Sequence, residues 1–233
     1  MQIVERLPKE YAREYALRLL KANIVSLDLA PGSMLSENEL AREMGLSRTP
    51  VREALIELAK TKIIDVQPQC GWRVGLIDHD LVTESRLLRM VLEKLVVELV
   101  CESPGPLDLS IMEENVGLQR FYLENHQPDR LLELDDAFHR ELFRLSNMMQ
   151  TYHLMESMMV HFDRVRSMTL STVKETRIAD DHADILRAIQ NKECAKAQEL
   201  MTTHLNRSKI DEEALRQQYP AYFKPIPGAK KSQ

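Results

Sequence analysis

Little in this sequence suits an exported, membrane-bound or thiolate-metal protein. No apolar run approaches the roughly 18 residues that a membrane-spanning helix needs. The opening MQIVERLPKEY carries charges and no apolar core, so no secretory leader is expected. The three cysteines, Cys70, Cys101 and Cys194, have no paired spacing. They suggest neither a zinc knuckle nor a disulfide framework and fit a reducing cytoplasm. Glycine is scarce, at 7 in 233 residues, and from Asp80 to Arg216 strand-like alternation is missing, which leaves helix as the reading. There is no internal repeat and no low-complexity tract. A general positive field is absent too, since the net charge is −5. Residues 1–76 carry 11 Lys and Arg against 10 Asp and Glu, and the remainder carries 20 against 26. Any nucleic-acid binding must therefore rest on local placement of a few cations.

What is present begins with LSENELAREMGLSRTPVREALIEL, Leu35 to Leu58. Ser36 is placed to cap a first helix, with Glu39 closing a capping box. Leu40, Ala41 and Met44 give that helix an apolar stripe, and Gly45 stops it. Ser47 is placed to cap a second helix with Pro50 in its first turn. Val51, Ala54, Leu55 and Leu58 form the buried face of this second helix. Arg48, Thr49 and Arg52 remain on its outer face near the N-terminus, where a recognition helix meets base edges in the major groove. Beyond Lys62, IIDVQPQCGWRVGLI alternates around a Gln67–Gly71 turn, a two-stranded wing. With a helix over Glu10–Leu27 this makes a winged helix-turn-helix over 1–76.

The stretch from Leu29 to Val74 resembles the N-terminal domain of the GntR family of bacterial transcription regulators. SRTPVREAL stands at the family's distance from both LSE and the wing. The resemblance implies that Ser47, Arg48, Thr49, Arg52, Gly71 and Arg73 meet DNA. The sequence departs from the family at three places. Cys70 stands where a basic or polar residue usually precedes the wing glycine, so Trp72 and Arg73 are expected to take over that contact. The family often has an arginine or lysine early in the first helix of the motif, and here the positions after Ser36 are Glu37 and Asn38. Lys62 replaces the usual glycine and must accept an uncommon backbone conformation or a slightly different turn.

The fold class is mainly α: the winged helix, then an all-α antiparallel bundle over 77–217, then a loose tail over 218–233. Bundle helices are expected at about 80–101, 108–125, 129–146, 149–169, 174–190 and 193–216. Asp135 and His139 lie four apart on one helix face and can reach one ion. His182 shares a side with Ile185 and Ile189, and His204 follows Leu200 by one turn. Three imidazoles and one carboxylate suit zinc, nickel or manganese. Taken singly, a histidine on an apolar face is more often a satisfied core residue than a ligand.

LRMVLEKLVVELV, DDAFHRELFRLSN, DDHADILRAI and MTTHL resemble successive signatures of the FCD effector domain of the FadR subfamily. That resemblance implies a divalent metal on Asp135, His139, His182 and His204. It also implies a carboxylate effector paired with Arg89, with Arg86 as fallback; the alternative for Arg89 is an exposed residue paired with Glu93 four positions on. Asn147 matches a frequent family asparagine that can also serve as a helix cap. The expected protein is a cytoplasmic, homodimeric regulator, a repressor on a pseudo-palindromic double-stranded operator, and no enzyme. The alternatives are a metal-dependent hydrolase-type enzyme and a regulator with a structural metal and no effector.

Overall fold

The computed structural model describes residues 1–69, 71–125, 130–172 and 177–225; Cys70 and His126 lie outside them. The chain divides into two compact units. The first comprises residues 1–82, 160–164 and 216 onward, and the second comprises 83–159 and 165–215.

The first unit is a winged helix. Helices α1 (Ala12–Val25), α2 (Glu37–Met44) and α3 (Arg48–Lys60) combine with strands β1 (Met34–Leu35), β2 (Ile64–Gln67) and β3 (Gly71–Val74). The sheet is antiparallel in the order β1-β3-β2, pairing Asp65 with Arg73, Val66 with Trp72 and Met34 with Arg73. Strand β1 has two residues, too few for periodicity to reveal. The core joins Leu19, Leu20 and Ile24 of α1 to Val51, Leu55 and Leu58 of α3 and to Ile64 and Val74 of the sheet. Truncating one of these buried aliphatic side chains to alanine costs about 2–5 kcal/mol.

The helix ends follow the sequence in outline; of the expected capping box only the Ser36 half is among the described contacts, and Ser47 gives no side-chain cap. Ser36 Oγ accepts from the Glu39 amide. Gly45 ends α2 in the left-handed conformation at φ 65, and Leu46 N–H reaches back to Ala41 O at 2.9 Å. Ser47 precedes α3 in extended backbone, but its side chain makes no capping bond. Lys62 does take the strained conformation, at φ 60, for which a side chain costs about 1–2 kcal/mol.

The tail expected to be loose is docked over its described part. Phe223 is buried and bridges to Ile77, and Lys224 Nζ lies 3.0 Å from Asp78 Oδ2. Residues 160–164 also belong to this unit. His161 Nε2 lies 2.6 Å from Thr61 O, and the fully buried Arg164 donates to Gly75 O at 2.6 Å.

The second unit is helical: α4 (His79–Cys101, shared with the first unit), α5 (Ser110–Glu124), α6 (Leu131–Leu145), α7 (Met149–Thr172), α8 (Ile178–Gln190) and α9 (Cys194–Gln218). Helix α5 packs against α6 and α8. On α6 the buried stripe is Leu131, Asp135, Phe138, His139 and Leu142, helical spacing with two polar residues set into an apolar face. Helix α8 repeats the device with His182 among Ala179, Ile185, Leu186 and Ile189. A disulfide joins Cys101 at the end of α4 to Cys194 at the start of α9. The expectation of unpaired cysteines is thereby corrected; the partners are 93 residues apart in sequence, so no local spacing announces them.

Candidate nucleic-acid interface and metal centre

On the winged helix, Ser47, Arg48, Thr49, Arg52 and Gly71 are exposed. Arg48 and Arg52 project from the first turns of α3, with side chains 65% and 66% exposed. Gly71 opens β3 at φ 101, a conformation that favours glycine. Arg73 is half-buried and tied to its cross-strand neighbour Asp65 at 3.1 Å. Trp72 does not face outward as expected. It is buried, and its indole N–H donates to Glu37 Oε1 at 2.9 Å.

In the helical unit, Asp135, His139, His182 and His204 converge. The three Nε2 atoms lie 3.2–3.3 Å from one another. Asp135 Oδ1 lies 3.5 Å from His182 Nε2 and 3.7 Å from those of His139 and His204. A tetrahedron with such edges has a centre about 2.1 Å from each donor, the usual Zn–N and Zn–O distance.

Each imidazole turns its other nitrogen toward an oxygen. His182 Nδ1 lies 2.9 Å from Gln119 Oε1. Gln119 donates to Asn115 Oδ1, and Asn115 donates to Leu134 O. His204 Nδ1 lies 3.4 Å from Asp181 Oδ2, which Arg207 also holds. His139 Nδ1 lies 2.6 Å from Glu93 Oε2, close in distance though not aligned as a hydrogen bond. With hydrogens on Nδ1, three lone pairs confront one another across little more than 3 Å. That arrangement is repulsive by itself and is relieved by a cation.

Protonation favours the same outcome. Burial pushes the His182 imidazole well below its ordinary pKa, with the neighbouring His204 adding to the effect. Burial also lowers His204, against the opposing pull of Asp181. Both are therefore neutral, the ligating form. Burial alone would raise Asp135, but Arg166, His139 and Arg89 outweigh it and hold the carboxylate well below its usual range. At Glu93 burial is likewise overcome, by Arg89 and His139, and the value falls to about 2. His139 alone is raised, because Glu93 and Asp135 outweigh its burial.

Arg89 is buried beside this cluster. Its Nε donates to Glu93 Oε1 at 2.6 Å and its Nη2 lies 3.4 Å from Asp135 Oδ2. Arg86, the fallback, is buried and donates to Asn206. Asn147 lies at the end of α6. It is exposed, sits at φ 59, and ends α6 through Asn147 N–H to Arg144 O and Met148 N–H to Phe143 O. This is the left-handed stop that asparagine tolerates, the helix-cap role open to it. Sequence reasoning missed Gln119, Asp181 and Arg166. Arg166 contacts Asp135 and lies 2.8 Å from Asp136 Oδ1.

A winged helix joined to a helical domain with a buried His/Asp cluster defines a class of transcription regulators, and known proteins agree. Residues 13–74 match the gntR family of bacterial regulatory proteins, and residues 84–207 match the FCD domain. The chain belongs to the GntR family and is a DNA-binding transcription regulator with an FCD domain, not an enzyme. It is 30% identical over 217 residues to the HTH-type transcriptional repressor RspR of Escherichia coli K12, spanning 93% of this chain and 95% of that one. It is 31% identical over 191 residues to the gluconate operon transcriptional repressor of Bacillus subtilis 168, covering 76% of this chain and 74% of that protein. The solved structure of E. coli McbR/YncC shares the fold, with TM-score 0.76 at 22% identity over 90% of this chain and 99% of that one. Among the described residues no helix is long and apolar enough to cross a membrane.

Proposed function

We propose that this regulator is a cytoplasmic homodimeric repressor whose helical domain binds one divalent metal and, through it, a small carboxylate effector. The observation that carries the reading is the set of three imidazoles aimed at one point, completed by Asp135 and backed by Gln119, Asp181 and Glu93. Zinc, nickel and manganese all accept such donors. The metal anchors the effector carboxylate, and Arg89 orients it as a planar, bidentate cation. Relatives named as repressors support repression, and one named for a gluconate operon puts sugar acids first among effectors to try.

Ser47, Arg48, Thr49, Arg52, Gly71 and Arg73 form the DNA-facing set. One recognition helix reads few base pairs, so a dimer on a pseudo-palindrome is needed for affinity and specificity. A surface for the second copy is at hand on α4. Leu87, Val91, Leu95 and Leu99 recur every fourth residue and are 41–63% exposed, an apolar stripe of the kind that marks an interface.

The test is calorimetric titration of sugar acids and short hydroxy acids into zinc-loaded and chelator-stripped protein. Binding only to the loaded form, weakened by about 2–5 kcal/mol in Arg89→Ala, supports the reading; equal affinity in both forms refutes it. A second reading is a structural metal without effector. It is favoured by the engagement of Arg89 with Glu93 and Asp135, and it requires that metal raise the melting temperature while no carboxylate does.

A further inference from the structure

Glu37 is out of place on a DNA-facing surface. Duplex DNA carries about one negative charge per 1.7 Å of axis, so a carboxylate there opposes binding. Yet Glu37, the first residue of α2, is the hub of the described recognition surface. Its Oε2 accepts from Arg48 Nη2 at 3.2 Å, and its Oε1 accepts from the buried Trp72 indole at 2.9 Å. Arg52 Nε lies 3.9 Å from Oε1. The three partners come from the start of α3 and from the wing strand β3, and an open cleft of about 400 Å³ borders Glu37, Asn38, Arg48, Gly71 and Trp72.

Stability does not account for this arrangement. Ion pairs to arginines this exposed contribute about 0–1 kcal/mol. A buried indole N–H needs an acceptor, but a neutral amide oxygen would serve as well. The negative charge therefore acts on the arginines.

We propose that Glu37 is a specificity-determining positioning residue, which restrains Arg48 and Arg52 from indiscriminate phosphate contact and presents them to base edges. This rests on the reading that Arg48 and Arg52 face DNA. A guanidinium has five donors in a rigid fork. Glu37 engages one edge of Arg48, leaving other donors for the O6 and N7 acceptors of a guanine. A phosphate, by contrast, competes with Glu37 for the same charge and meets the carboxylate's repulsion. The effect suits a winged helix that is close to neutral, at 11 cations against 10 anions over residues 1–76: weak general attraction, with discrimination left to a few groups.

The experiment uses the full-length dimer, a duplex selected from a random library by the wild type, and a scrambled duplex of equal length. Fluorescence anisotropy is followed over a salt series for the wild type, Glu37→Gln, Glu37→Asp and Arg48→Ala. Glutamine keeps an acceptor for Trp72 and removes the charge. Its expected signature is several-fold tighter binding to scrambled duplex, a salt slope steeper by up to about 1 per subunit, and a selected-to-scrambled ratio lower by about tenfold. Aspartate withdraws the charge by one methylene and is expected to give an intermediate ratio. It serves as the test by itself if the glutamine variant does not fold, as reported by emission from Trp72, the chain's one tryptophan. A wild-type ratio and slope in the folded Glu37 variant, with Arg48→Ala losing selected-duplex affinity, overturns the inference and leaves the arginine reading standing. If Arg48→Ala also binds like the wild type, the arginine reading itself falls.

Discussion

Gln119 offers the sharpest test of the metal centre, because it touches no metal and sequence gave no hint of it. Its amide oxygen lies 2.9 Å from His182 Nδ1, and its own NH2 is fixed by Asn115, which is anchored on Leu134 O. The relay places the hydrogen on Nδ1 and frees the Nε2 lone pair. Gln119→Leu keeps the volume and removes the acceptor. His182 can then rotate or shift its hydrogen to Nε2, which blocks ligation. Loss of such an outer partner lowers metal affinity by about 10- to 100-fold, or about 1.4–2.7 kcal/mol. The metal-free protein should also lose about 1–3 kcal/mol, because the buried His182 Nδ1 and Asn115 Oδ1 are left without their partner, so the relay is tested by the metal affinity and not by the stability of the metal-free form. Competition against a fluorescent zinc chelator gives the affinity, and thermal melts with and without zinc give the linked stabilisation. At 100 times its dissociation constant zinc adds about 2.7 kcal/mol, and the variant should lose half or more of that at the same free zinc. Unchanged zinc affinity in Gln119→Leu would refute the relay. Absence of zinc binding in the wild type would refute the centre.

Three further outcomes are expected. Burial pulls His161 down to about 4 from an ordinary 6.5, against its bond to Thr61 O, and the nearby Arg164 charge adds to the fall. The unfolded chain then takes up a proton between these values that the folded chain refuses. Stability is thus fully present above pH 6.5 and lost as pH falls toward 4, by about 3 kcal/mol in all; His161→Gln should flatten that limb of a denaturation-versus-pH curve, and an identical slope would count against it. Replacing Cys101 and Cys194 together by serine should lower stability by about 2–5 kcal/mol, read by urea unfolding against the oxidised wild type; equal midpoints would show that the link does not constrain the chain. Val91→Glu on the α4 stripe should give monomers in light scattering, and a persistent dimer would place the interface elsewhere.

The elements and much of the candidate site were legible because their signals are periodic. Asp135 and His139 fall four apart within an apolar stripe, and His182 falls on the side of Ile185, so helical spacing alone turns them inward. What stayed hidden depends on chain distance. Gln119 meets His182 across 63 residues, Arg89 meets Asp135 across 46, and Cys101 meets Cys194 across 93; no local pattern encodes any of these.

Asn147 and Trp72 were ambiguous for a different reason: their types suit more than one role. An asparagine after a helix can serve a ligand or the backbone, and only the left-handed φ of 59 decides for the backbone. A tryptophan beside a wing glycine can enter a groove or fill a core, and the acceptor supplied by Glu37 decides for the core. That same acceptor belongs to the LSE motif on which the family resemblance rests. Read along the chain, Glu37 is a charge of the wrong sign for DNA. Read in the fold, it stands between two cations and an indole, where a charge of that sign organises them.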